Sequence, residues 1–232
     1  MAVPSGGGPL VFVADLDDPH LSDDDHHHLA RVRRVRHGAP VVVGDGRGSW
    51  RAARFAGDRP EIVGDRRGSA RPVPLVGVGF ALVKGAKPEL VVQKLTELGV
   101  DEIQPFTAAR SVVRWDPSKA DAAHGRLVKV AREAAMQSRQ PWLPSVGSVV
   151  SFASIAAQPG VALAERDGAP PHLERPFVLV GPEGGWDDAE RAAGLPLVRL
   201  STGVLRAETA AIVAGALLVA LRSATVAPAD DA

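Results

Sequence analysis

The sequence predicts an α/β protein in which a small, mostly β N-terminal unit precedes a larger unit built on a parallel sheet. Three observations carry this. From residue 74 onward, short apolar runs alternate with helical patterns, the arrangement of βαβ units with helices on both sheet faces. Residues 10–70 instead hold short strand-like runs separated by glycine-bearing turns. Between them, Arg66-Arg67-Gly68-Ser69-Ala70-Arg71-Pro72 is polar and rich in breakers, as a linker is.

Taken in order, Leu10-Val11-Phe12-Val13 is a short strand. Ser22 caps a helix whose first turn holds Asp23, Asp24 and Asp25, complementing the dipole. That helix places Leu29, Val32 and Val35 at spacings of three and is expected to end by Gly38. Val41–Val43 is a strand, Gly44–Gly48 a turn, and Trp50–Phe55 a second strand. Pro74–Val83 reads as one long strand, and Pro88–Leu98 as a helix with proline at its start and Gly99 past its end. Ile103–Phe106 is a strand. Ser118 caps a long helix that runs to about Arg139, ahead of Pro141. Its last turns carry Arg132, Glu133 and Gln137, either as a solvated face or in a functional or dimer-contact role. Val161–Ala164, Phe177–Val180 and Leu197–Leu200 are strands, and Arg206–Arg222 is a closing helix before an Ala/Asp tail.

Composition removes several function classes. There is no cysteine, which excludes disulfides, thiolate metal sites and a cysteine nucleophile. His26-His27-His28 point in different directions on a helix and match no metal-ligand spacing, so no metal is expected. The N-terminus lacks a signal-peptide layout, and the apolar stretch Ala210–Leu221 is too short to span a bilayer, so the expected location is the cytoplasm, without membrane association. Net charge is +0, yet Arg31–Arg71 holds eleven arginines against four acidic residues, the footprint of a phosphate backbone. No P-loop, dinucleotide fingerprint or Gly-x-Ser-x-Gly elbow occurs.

Two C-terminal segments point to a small-molecule site with a charged rim. Gly181-Pro182-Glu183-Gly184-Gly185 follows an apolar strand, at the edge where α/β sheets bind ligands. Leu205-Arg206-Ala207-Glu208-Thr209-Ala210 opens an apolar helix and brings Arg206 and Glu208 to the same kind of edge.

These segments join a series of others in a fixed order: His28–Arg34 with Gly38, Asp45-Gly46-Arg47-Gly48, Lys84-Gly85, Gln93–Val100, Arg110–Val113 and Glu133–Ser138. Along nearly its whole length the chain resembles the bacterial 16S rRNA (uracil-N3)-methyltransferase family of the knotted SPOUT class. It departs from the family in having Leu10 and Val11, not arginine, before Phe12, and Leu200-Ser201-Thr202-Gly203 in its last loop. The resemblance implies a PUA-like β-barrel RNA-binding domain over 1–71, a SPOUT methyltransferase domain with a trefoil knot over 72–226, a flexible tail over 227–232, and a homodimer.

It further implies S-adenosylmethionine as cofactor, held by three strand-end loops: Ala164; Val180, Gly181, Pro182, Glu183, Gly184 and Gly185; and Leu200, Ser201, Val204 and Leu205. The implied reaction is methylation of N3 of a uridine in small-subunit rRNA, uridine 1498 in conventional numbering. Arg206 would stabilise the uridine anion, with Glu208 orienting it or handling the proton. N3 lies on the Watson–Crick edge, so the base must be unpaired or flipped out. Arg31, Arg33, Arg34, Arg47 and Arg51 would contact RNA phosphates. Another rRNA or tRNA base as target, or a non-catalytic ribosome-assembly factor, are the alternatives.

Overall fold

A computed structural model describes Val3 and residues 7–82, 87–113 and 116–227, with backbone alone for Pro117 and Ser118. Lys84-Gly85, the proposed Ser118 side-chain cap and the last five residues of the tail lie outside the described residues. The chain divides into two units: Met1–Arg71 with Arg132–Leu143, and Pro72–Ala131 with Pro144–Ala232.

The first unit is a five-stranded sheet of β1 (Leu10–Phe12), β2 (Pro40–Gly44), β3 (Ser49–Arg54), β4 (Glu61–Ile62) and β5 (Arg67–Gly68). β1 runs parallel to β2, and the other pairs are antiparallel. Strand alternation gives the sheet two buried faces. Val41 and Val43 pack with Val11, Leu29 and Phe55, whereas Val42 packs with Leu10, Phe12, Trp50 and Ala135. The presumed linker is partly structured, because Arg67–Gly68 pairs with β3 across Trp50 and Ser49.

Helix α1 (Asp23–His27) begins as its residues predict: the Ser22 hydroxyl accepts from the Asp25 amide at 3.2 Å. Its ending differs. The chain continues as a π-helical turn, His28–Val32, and Arg34 takes φ 52° well before Gly38. The wider turn rotates Val32 off the core face, leaving it 62 % exposed while Leu29 stays buried. Arg132 also has a structural job here. It donates at 2.8 Å to each oxygen of buried Asp25 and at 2.9 Å to the Phe12 carbonyl.

The second unit contains β6 (Gly77–Ala81), α2 (Lys87–Leu98), β7 (Glu102–Thr107), α3 (Pro117–Ser138) as far as Ala131, β8 (Ser145–Val146), β9 (Val150–Ser151), α4 (Phe152–Ala156), β10 (Val161–Ala169), β11 (Phe177–Val180), α5 (Asp188–Arg191), β12 (Leu197–Val198) and α6 (Ala207–Arg222). The sheet order is β12-β10-β11-β6-β7-β8, with β9 also on β7, and every pair is parallel. Such a sheet is buried on both faces, so its strands read as continuous apolar runs. Val78, Phe80, Val178 and Val180 face α2 and α6, while Phe106, Leu163, Phe177 and Leu179 face Ile155 of α4 and Trp186. Gly77 and Gly79 serve this packing: a Cβ at either would lie within 2.4 Å of the Phe177 or Leu179 side chain.

One buried ion pair closes the second unit's amino edge. Asp101 and Arg222, 6 % and 7 % exposed, are in direct contact; Asp101 accepts from the Val76 amide at 2.9 Å, and Arg222 donates to the Gly99 carbonyl at 2.8 Å. Among the described residues, no helix is long and apolar enough to cross a membrane.

Candidate functional site

Parallel strands bring their carboxyl ends to one edge, and the site is built there. β10 departs from its expected length: Ala164 and Ala169 both register with Val198, so Glu165–Gly168 bulge outward between them. β11 ends at Val180 and passes directly into the glycine-rich turn. After β12, residues 199–205 return the chain to the start of α6.

These three segments enclose a cleft of about 490 Å³, inside the roughly 300–1,000 Å³ range of small-molecule sites. Its lining includes Ala164, Val180, Gly181, Pro182, Glu183, Gly185, Leu200, Ser201, Val204, Leu205 and Arg206. Of the cofactor residues the sequence nominated, Gly184 alone lies off the lining; its carbonyl accepts from Arg110 at 3.1 Å. Glu208 also stands behind the lining, on the first turn of α6.

Trp186 holds the walls together. It is 3 % exposed, stacks on Phe106 with centroids 6.0 Å apart, and donates from Nε1 to the Ala164 carbonyl at 3.0 Å. Gly181 lies against its ring, where a Cβ would come within 3.0 Å. Asp187 caps α5 in a capping box with Glu190. Glu190, 5 % exposed, also accepts from the Ala109 amide at 2.7 Å, tying the loop after β7 to this wall.

The rim is charged as the sequence suggested, but its pairing differs. Glu208 is held by Lys87, whose Nζ lies 3.2 Å from each of its oxygens and 3.7 Å from Glu183. The amide of its own residue at the helix N-terminus, and then Lys87 and Arg206, draw the Glu208 carboxyl below its ordinary value, against the opposing effect of burial. It is therefore a carboxylate at neutral pH and a weak proton acceptor. The Arg206 side chain has no hydrogen-bond or ion-pair partner among the described residues, and Arg206 supplies no side-chain cap to α6. The cleft also holds Arg166 and the Glu165–Arg191 pair, 2.9 Å apart.

Sequence reasoning missed Lys87 and Arg191, and it gave Trp186 and Glu165, which lie in or beside the predicted loops, no role of their own. For Lys87 a signal existed: it opens the helix after the apolar strand β6, which places it at the same edge.

In the first unit, Arg31, Arg33, Arg34 and Arg47 are exposed and lack side-chain partners among the described residues. Arg51 is engaged instead, donating to Asp17 at 2.7 Å and to the Gly64 carbonyl at 3.0 Å. The aspartate run thus neutralises part of the basic segment, as Asp18 does with Arg59 at 3.0 Å. No group of three or more metal-ligating side chains occurs among the described residues.

A family model described as an RNA methyltransferase domain matches residues 70–219, and one described as an RNA methyltransferase PUA domain matches residues 21–63. A Mycobacterium bovis protein named ribosomal RNA small subunit methyltransferase E is 36% identical over 251 aligned positions, covering 96% of this chain and 95% of its own. A Synechocystis protein of the same name is 33% identical, covering 84% of this chain and 70% of its own. Among solved structures, a ribosomal RNA small subunit methyltransferase E from Neisseria gonorrhoeae, bound to S-adenosyl methionine, matches with a TM-score of 0.78. Its identity is 26%, and the match covers 92% of this chain and 98% of that one.

Proposed function

The chain belongs to the ribosomal RNA small subunit methyltransferase E family of RNA methyltransferases, and we propose that it methylates N3 of a uridine in 16S rRNA. The observation that carries this is the cleft at the carboxyl ends of β10 and β11, closed by residues 200–205 and edged by Arg206, whose side chain has no hydrogen-bond or ion-pair partner among the described residues. The position, uridine 1498, and the N3 atom come with the family resemblance.

S-adenosylmethionine suits this cleft. Val180, Leu200, Val204, Leu205 and Ala210 give apolar walls for a flat base, and the glycine turn allows close approach of backbone amides and carbonyls. When bound there, S-adenosylmethionine supplies a methyl group on a sulfonium, which departs as a neutral thioether. The chain's own task concerns the uridine. N3 carries a proton at neutral pH, and its loss leaves negative charge on the uracil. Arg206 is placed to stabilise that charge without first breaking an ion pair. Glu208, already ionised and bound by Lys87, orients the rim and does not serve as the proton acceptor. Proton release to solvent satisfies the balance.

Arg31, Arg33, Arg34 and Arg47 serve as phosphate contacts to RNA, while Arg51 holds Asp17. A homodimer, the trefoil knot and a cytoplasmic location belong to the same proposal. Mass mapping of rRNA from cells with and without the gene tests it. Loss of one N3-methyluridine is expected; an unchanged modification pattern overturns it.

A further inference from the structure

We propose that Lys87 is a positioning residue for this reaction, balancing Glu208 and Glu183 so that negative charge can develop on the uridine beside Arg206. The inference rests on the methyltransferase reading above and goes beyond it in assigning Lys87.

The geometry is specific. The Lys87 ammonium bridges the first turn of α6 and the turn after β11, at 3.2 Å from both Glu208 oxygens and 3.7 Å from a Glu183 oxygen. An exposed pair of this kind would contribute little. Here the Glu208 side chain is only 13 % exposed, and one cation serves two carboxylates. Among the described residues, the charged groups that face Lys87 are Glu208 from α6, Glu183 from the glycine turn and, beside Glu208, Arg206. On the remaining wall Glu165 is matched by Arg191, and Arg166 is a further cation.

The formal charges of Lys87, Arg206, Glu183 and Glu208 sum to zero. Without Lys87 the group carries −1 at the place where N3 deprotonation adds another negative charge. Glu208 would also be left to pair with Arg206, the cation the uridine anion needs. Both effects disfavour the anion, and both act at N3 proton loss while leaving the cofactor wall intact, since Lys87 does not line the cleft.

Single-turnover methylation of small ribosomal subunits at saturating S-adenosylmethionine, followed against pH, tests this. The proteins are wild type, Lys87→Ala, Lys87→Met, Lys87→Arg and the double variant Lys87→Ala/Glu208→Gln. Loss of a nearby cation should move the rising limb of the Lys87→Ala and Lys87→Met profiles by about one pH unit to the alkaline side. At neutral pH that is a loss of about tenfold, recovered at high pH. Lys87→Arg should restore the wild-type limb. The double variant has the wild-type formal charge and should be faster than Lys87→Ala at neutral pH. S-adenosylmethionine affinity by calorimetry should stay close to wild type in all of them. A Lys87→Ala profile that keeps the wild-type limb overturns the inference. So does a loss equal at every pH, or a double variant no faster than Lys87→Ala. Should wild type itself form no N3-methyluridine, the functional reading falls first and the Lys87 assignment with it.

Discussion

Replacing Trp186 with alanine removes the side chain that ties three strand ends together. The ring is 3 % exposed, stacks on Phe106 at 6.0 Å with planes 4° apart, and lies against Gly181. Truncating a buried aromatic of this size costs about 3–5 kcal/mol, combining lost transfer energy with the cavity left behind. Trp186→Phe separates packing from hydrogen bonding. It keeps most of the stacked surface and leaves the Ala164 carbonyl without its 3.0 Å donor, for a cost of about 0.5–1.5 kcal/mol. Urea unfolding without ligand measures both, reading the midpoint at constant slope. Calorimetric titration with S-adenosylmethionine then reports the cleft. Trp186→Phe should bind more weakly than its stability loss alone explains, because the Ala164 wall is no longer fixed. A Trp186→Ala protein within about 1 kcal/mol of wild type would refute the packing argument. Unchanged affinity in a folded Trp186→Phe protein would refute the claim that the tie shapes the cleft.

Asp101→Asn should cost about 3–5 kcal/mol in urea unfolding, because it leaves buried Arg222 without its counter-charge. Arg34→Ala should weaken RNA binding and lower the slope of log affinity against log salt by about one, whereas Arg51→Ala should change that slope less because Asp17 already holds its guanidinium. Glu208 gives a pH prediction with a definite sign. Its folded value lies below its unfolded one, so its contribution is present above the ordinary glutamate range and is lost as pH falls through the folded value. Glu208→Gln should therefore lose less stability than wild type between about pH 5 and pH 3, measured by urea midpoints.

Much of the second unit was legible because its signals are local. Phe177–Val180 is a continuous apolar run, Gly99 ends α2 with φ 87°, and Asp187 caps α5 through a contact three residues away, as Ser22 caps α1 in the first unit. The two-residue strands β4, β5, β8 and β9 carry no periodicity and exist only through their partners. The bulge in β10 was hidden for a related reason. Glu165-Arg166-Asp167-Gly168 reads as a loop, yet Gly168 packs so closely on β12 that a Cβ would lie 2.4 Å from the Val198 nitrogen. Helical spacing put Val32 in the core, and the π-helical turn put it in water. At the site, the glycine turn and Arg206 stood out as polar groups at strand ends. Lys87 and Glu208 meet across 121 residues of sequence, and Arg51 and Asp17 across 34, separations no local pattern reports.

The most direct measurement is single-turnover transfer of a labelled methyl group from S-adenosylmethionine to small ribosomal subunits by wild type and Arg206→Ala, with the modified nucleoside identified by mass spectrometry. Wild type should form one N3-methyluridine per subunit. Arg206→Ala should bind S-adenosylmethionine and be slower by about 10²-fold or more, the scale of losing a group that stabilises developing negative charge. Methyl incorporation on another base, or an Arg206→Ala rate equal to wild type, would contradict the proposed reaction.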